Sequence, residues 1–175
     1  MMSKKMSVVF MMVVSFVVLS TSVFAAGIIP PYIGNNLIRS DVEKLENLSL
    51  EVFDSMSDSF KCRFSADSDN CTIYDNKVFA FALDFENVLS SIEGNVKTFV
   101  KIDSRKSEIL KSVNTLKRQI NEAKSVFMKT IWVIEDGRDY VSQLDILAQV
   151  RQEIIHTVKK LDSQTQNLPI PEICF

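Results

Sequence analysis

The sequence predicts an all-α fold, an antiparallel bundle of about four long amphipathic helices. Three observations carry this expectation. The first is where the helix breakers fall. The four prolines stand at positions 30, 31, 169 and 171, and within 37–163 the glycines are Gly94 and Gly137 alone. Proline breaks a helix interior and glycine weakens it, so long helices need this scarcity. The second is apolar spacing at steps of three and four in successive segments, each drawing one stripe on a 3.6-residue helix. The third is the shortness of the connections, which favours antiparallel neighbours. The alternative is an elongated helical hairpin, a coiled-coil-like rod, in which the last two segments run on through a kink.

The chain opens with Lys4 and Lys5, an apolar run from Val8 to Leu19 broken only by Ser15, and then Val23-Phe24-Ala25. A basic start, an apolar stretch and small residues at −3 and −1 predict a secretory signal peptide over 1–25, cleaved after Ala25. An uncleaved anchor is the competing reading, weakened by Ser20, Thr21 and Ser22 in a run of marginal spanning length. No later segment reaches transmembrane length, so the chain is expected to be secreted, or periplasmic in a Gram-negative cell. Residues 26–36 then read as an N-terminal extension, 37–163 as the bundle and 164–175 as a C-terminal tail. The first stripe is Ile38, Val42, Leu45, Leu48, Val52, Phe53, Met56 and Phe60, with Ser40 or Asp41 as its cap. The second is Val78, Phe81, Phe85, Val88, Leu89, Ile92, Val96 and Phe99. The third runs Ile109, Val113, Leu116, Ile120, Ala123, Phe127, Ile131 and Ile134, capped by Asp103 or Ser104. Glu135-Asp136-Gly137 marks its break from a fourth, Tyr140, Leu144, Leu147, Ile154, Val158 and Leu161.

Export places the three cysteines where disulfides persist. In the bundle, Cys62 ends the first helix and Cys71 begins the second, at one end, whereas Cys174 follows the fourth helix at the other. Cys62–Cys71 is therefore the expected bridge, leaving Cys174 free or available for an intermolecular bond. The loop between them carries Asp67 and Asp69 at alternate positions, as a calcium loop does, but Thr72 and Val78 stand where its glycine and glutamate belong. Asn70-Cys71-Thr72 and Asn47-Leu48-Ser49 are glycosylation sequons, of use only in a eukaryotic secretory route.

Catalytic chemistry has little to build on. His156 is the single histidine, and its Glu153-x-x-His156 step, used by di-iron bundles, falls on the face opposite the apolar stripe. Asp84 and Glu86 flank Phe85 on opposite sides, so they do not pair as acid and base. No enzyme activity, cofactor or metal is expected. Residues 39–93 carry a net charge of −7 and 97–129 a net charge of +6. Two readings stay open: complementary packing of acidic helices against a basic one, or a basic face of Lys111, Arg118 and Lys129, interrupted by Glu122, for an anionic partner. The overall balance points away from nucleic acid.

The end of the third helix, SVFMKTIWVIED, is apolar on every side. Met128 and Trp132 lie off the stripe on one flank, Val126 and Val133 on the other. Such a helix end is buried in a core or against something else. These four residues are the expected interaction surface. The function that follows is an exported, non-catalytic helical bundle that binds a macromolecular partner or assembles with itself. The alternative is a carrier of a lipid or small apolar ligand.

Overall fold

A computed structural model describes residues 31–65, 71–166 and 168, and all four elements are helices. They are α1 (Pro31–Phe64), α2 (Thr72–Phe99), α3 (Asp103–Glu135) and α4 (Val141–Gln166). The chain is an all-α four-helix bundle. Consecutive helices pack side by side, and α4 closes the ring against α1. The alternative rod is set aside, because α3 and α4 turn back on one another instead of running on.

Side-chain bonds fix the up-down-up-down sense. Cys62 near the end of α1 bonds Cys71 just before α2. At the far end Gly34 of α1 lies beneath Phe99 of α2. Arg39 of α1 donates to the carbonyls of Thr165 at 3.4 Å and Gln166 at 2.7 Å, at the end of α4. Those carbonyls are the unsatisfied acceptors of a helix terminus, which a cation suits.

The stripes pack as the spacing predicts. Ile38, Leu45, Val52, Phe85, Leu89, Ile92, Leu116, Phe127, Ile154 and Leu161 are all fully buried, in one continuous core. Side chains of this size stabilise by about 1.5–3 kcal/mol each on burial.

Two helix starts differ from expectation. Ser40 and Asp41 do not cap α1, which begins nine residues before Ser40, at Pro31. Proline suits a first turn, where its missing N–H would have no partner, and a small residue at 34 lets α2 approach. A Cβ at Gly34 would collide with the Phe99 ring and its Cβ. Asp103 is the first residue of α3, not its cap; Ile102 holds the cap position and makes no side-chain cap bond. Asp103 acts there as an acidic residue facing the helix N-terminus.

The break at 135–137 is as expected, with Gly137 at a φ of 68°. The Gly137 amide donates to Ile134 O and the Arg138 amide to Val133 O, each at 3.0 Å. This pair of bonds satisfies the last carbonyls of α3 and requires the left-handed backbone that glycine adopts freely.

Candidate functional site

The bundle end that holds the disulfide is tied by three devices. The first is the Cys62–Cys71 bond itself, with Cα atoms 5.6 Å apart. The second is Arg63, whose guanidinium grips both oxygens of Asp75 at 3.0 and 2.7 Å and reaches Glu135 at 3.3 Å. Ser59 joins this network, donating to Asp75 at 2.6 Å. One largely buried cation thus fastens α1 to α2 and α3. Burial alone would raise the Asp75 carboxyl, but bonds from Arg63 and Ser59 outweigh it and hold the group below its ordinary value. The third device is the tilted ring pair Phe64–Tyr140, with centroids 5.1 Å apart, between the end of α1 and the start of α4.

This same end carries most of the exposed apolar surface. Twelve large hydrophobic side chains are exposed among the described residues, and eight lie in the half nearest the disulfide. They are Phe64 on α1, Ile73, Phe79 and Leu83 on α2, Met128 and Trp132 on α3, and Val141 and Ile146 on α4. Leu50 sits near the middle, and Ile33, Leu37 and Ile102 lie at the other end.

The expected four-residue surface on α3 is therefore corrected. Met128 and Trp132 are 49% and 58% exposed, but Val133 is buried and Val126 is half-buried against the core. The helix period explains the split. Ser112 and Gln119 bond Gln164 and Glu153 of α4, so their flank faces α4, and Val126 and Val133 continue that flank at steps of seven. Lys117 and Lys124 bond Glu93 and Glu86 of α2, and Met128 follows on that side. Across the seam with α2 the Phe79 ring lies 6.2 Å from that of Phe127, the residue before Met128. Trp132 is not bare. The turn at Gly137 returns Arg138 over its ring, 4.2 Å from the centroid, and Asp136 holds Arg138 at 2.6 Å.

Phe79 and Leu83, spaced i and i+4 off the second stripe, carry the same signature as Met128 and Trp132. The sequence carries that signature on α2 as it does on α3. Arg138 had no such signal, because its position depends on the turn.

The opposed charges of 39–93 and 97–129 meet in part as packing. Lys117–Glu93 at 2.5 Å and Lys124–Glu86 at 2.6 Å bridge α3 to α2. Bonds from Lys117 and Lys97 bring the Glu93 carboxyl down to about 2. On the outer face of α3, Arg118 pairs with Glu122 at 3.8 Å.

A concave feature lies between α1 and α4, a groove of about 350 Å³. Phe53, Phe60, Phe64, Leu144, Leu147 and Ala148 line it, with Lys61 and Arg151 at its rim. Arg151 lies over the Phe53 ring, 5.8 Å from the centroid.

The remaining singled-out residues are dispersed. His156 is exposed, while the Glu153 carboxylate accepts from Gln149 at 3.1 Å. Among the described residues no three His, Cys, Asp or Glu side chains converge as a metal set would. Asn47 is exposed in mid-helix, and the buried Ser49 of its sequon donates to the Glu46 carbonyl. Asn70, Asp67, Asp69, Cys174 and the expected signal segment lie outside the described residues. Among the described helices none is long and apolar enough to cross a membrane. No protein-family model, curated protein or solved structure matches this chain.

Proposed function

We propose that this is an exported, non-catalytic binding module that uses its disulfide-bearing end to hold a macromolecular partner or a second copy of itself. The observation that carries the reading is the concentration of exposed apolar side chains at that end, Phe79, Leu83, Met128 and Trp132 foremost. Contiguous apolar surface on a small domain marks an interaction site. The same end is braced by the Cys62–Cys71 bond and the Arg63 network, so its shape is set before any partner arrives. Rigid surfaces lose less entropy on binding. The layout of 1–25 and the disulfide both agree with export.

Sedimentation velocity of the wild type and of a Leu83→Ser/Met128→Ser/Trp132→Ser variant tests the reading. A concentration-dependent dimer lost in the variant supports self-association. A wild type that stays monomeric, and a partner recovered from the native fluid that binds both forms equally, overturns the assigned surface.

A second reading, carriage of a small apolar ligand, draws support from the α1–α4 groove. Its size lies at the lower end of the range of ligand pockets, about 300–1,000 Å³.

A further inference from the structure

We infer that the groove between α1 and α4 binds a single-chain amphiphile with an anionic head group, head at Arg151 and chain towards Phe64. This rests on the carrier reading and adds the ligand's chemistry and orientation.

The groove has polarity along its length. Phe64, paired with Tyr140, lines it at one end. At the other, Arg151 stands on the rim above Phe53. The floor between them is aromatic and aliphatic, from Phe53, Phe60, Leu144 and Leu147. From Phe53 to Phe64 the helix rises about 16 Å, the length of a medium alkyl chain. The volume of about 350 Å³ takes one such chain, not the pair of a phospholipid.

The charges at the groove select the head. The two ionised groups lining it are Lys61 and Arg151, both cationic. Lys61 is engaged by Asp58 at 3.1 Å. Arg151 has an aromatic contact but no carboxylate partner among the described residues. A planar guanidinium presents paired donors that match a carboxylate or sulfate. An apolar trough with a cation at its open end is complementary to a fatty acid or alkyl sulfate, and a neutral alcohol of the same length gains only the trough.

Calorimetric titration of the intact protein with decanoate and with decanol, below their aggregation limits, tests both parts. Three variants accompany it: Arg151→Gln, Ala148→Phe and Ser57→Trp. Ala148 and Ser57 line opposite walls and are exposed, so larger side chains there fill the groove without entering the core. The expected result is one saturable site, with decanoate bound about three- to fivefold more tightly than decanol, as an exposed ion pair allows. Arg151→Gln removes that preference and leaves decanol unchanged. Ala148→Phe and Ser57→Trp each abolish both, with melting temperatures near that of the wild type. Equal binding of the two probes, with Arg151→Gln silent, overturns the anionic head and leaves the carrier reading standing. No saturable site, or binding that survives both wall substitutions, overturns the groove and the carrier reading together.

Discussion

Gly34→Ala sets two opposed effects of known size against each other. Alanine in place of glycine inside a helix stabilises by about 1 kcal/mol. At Gly34, however, the new methyl enters the Phe99 ring and meets the Phe99 Cβ. A ring can swing away by rotation, but a Cβ moves only with its backbone. The collision therefore pushes α1 and α2 apart at that end. Overpacking of a close contact costs about 1–3 kcal/mol, and a clash with backbone-fixed atoms belongs at the upper end. The net is a loss of about 2 kcal/mol, or roughly 4–8 °C in Tm for a domain of this size. Urea titrations followed by circular dichroism measure it, with Phe99→Ala and the double variant completing a cycle. The clash vanishes without the ring, so Gly34→Ala should be far less harmful in the Phe99→Ala background. A Gly34→Ala protein as stable as the wild type, or more so, refutes the reasoning, because propensity would then be the larger effect.

Replacing Cys62 and Cys71 together by serine opens a loop of about ten residues; loop-closure entropy puts the loss near 2.7 kcal/mol. Thermal melts should show a fall of about 5–10 °C, which a reducing agent reproduces in the wild type and leaves absent in the variant. Glu93 gives a pH signature. Its carboxyl sits at about 2 in the folded chain against an ordinary 4.5, so its contribution is complete above the ordinary value. It is lost as pH falls from there towards about 2. Glu93 is partly exposed, so that contribution is about 1 kcal/mol or less. Glu93→Gln should flatten that part of the stability profile and leave the rest of the acid limb unchanged. A wild type and variant that lose stability in parallel across that range sink the assignment.

How far the sequence reaches depends on what each feature needs. The four stripes were legible because one face of each helix is buried, and burial imposes a period that can be counted. The break at Gly137 was legible because the left-handed backbone there selects its residue. The start of α1 was not, since Pro30 and Pro31 read as breakers, and only the approach of Phe99 explains a glycine in the first turns. The disulfide followed from topology once two helix ends shared one end of the bundle. Met128 and Trp132 could be placed off the core from their own helix. Whether Val126 and Val133 were covered depended on which side α4 lies, and helical spacing is silent on that. The α1–α4 groove was invisible for the same reason. It is built from two helices far apart in the chain, and each contributes residues that look like ordinary core.

The four seams of the bundle are held by different means, and the difference bears on where the proposed ligand would enter. α1 and α2 are joined by the disulfide, the Arg63–Asp75 pair and the bond from Ser91 to Asp41. α2 and α3 are bridged by two lysine–glutamate pairs. α3 and α4 share the turn at Gly137 and the bonds from Ser112 and Gln119. Between α1 and α4 the described ties stand at the ends, Arg39 on the last carbonyls of α4 and Phe64 on Tyr140, with an aromatic–cation contact between them. Widening the first three seams breaks ion pairs or hydrogen bonds that leave polar groups unpaired, at about 1–3 kcal/mol apiece where they are buried. Widening the middle of the fourth exposes apolar surface that an alkyl chain would cover again. A ligand entering there would replace one apolar contact with another and leave the polar ties of the bundle intact.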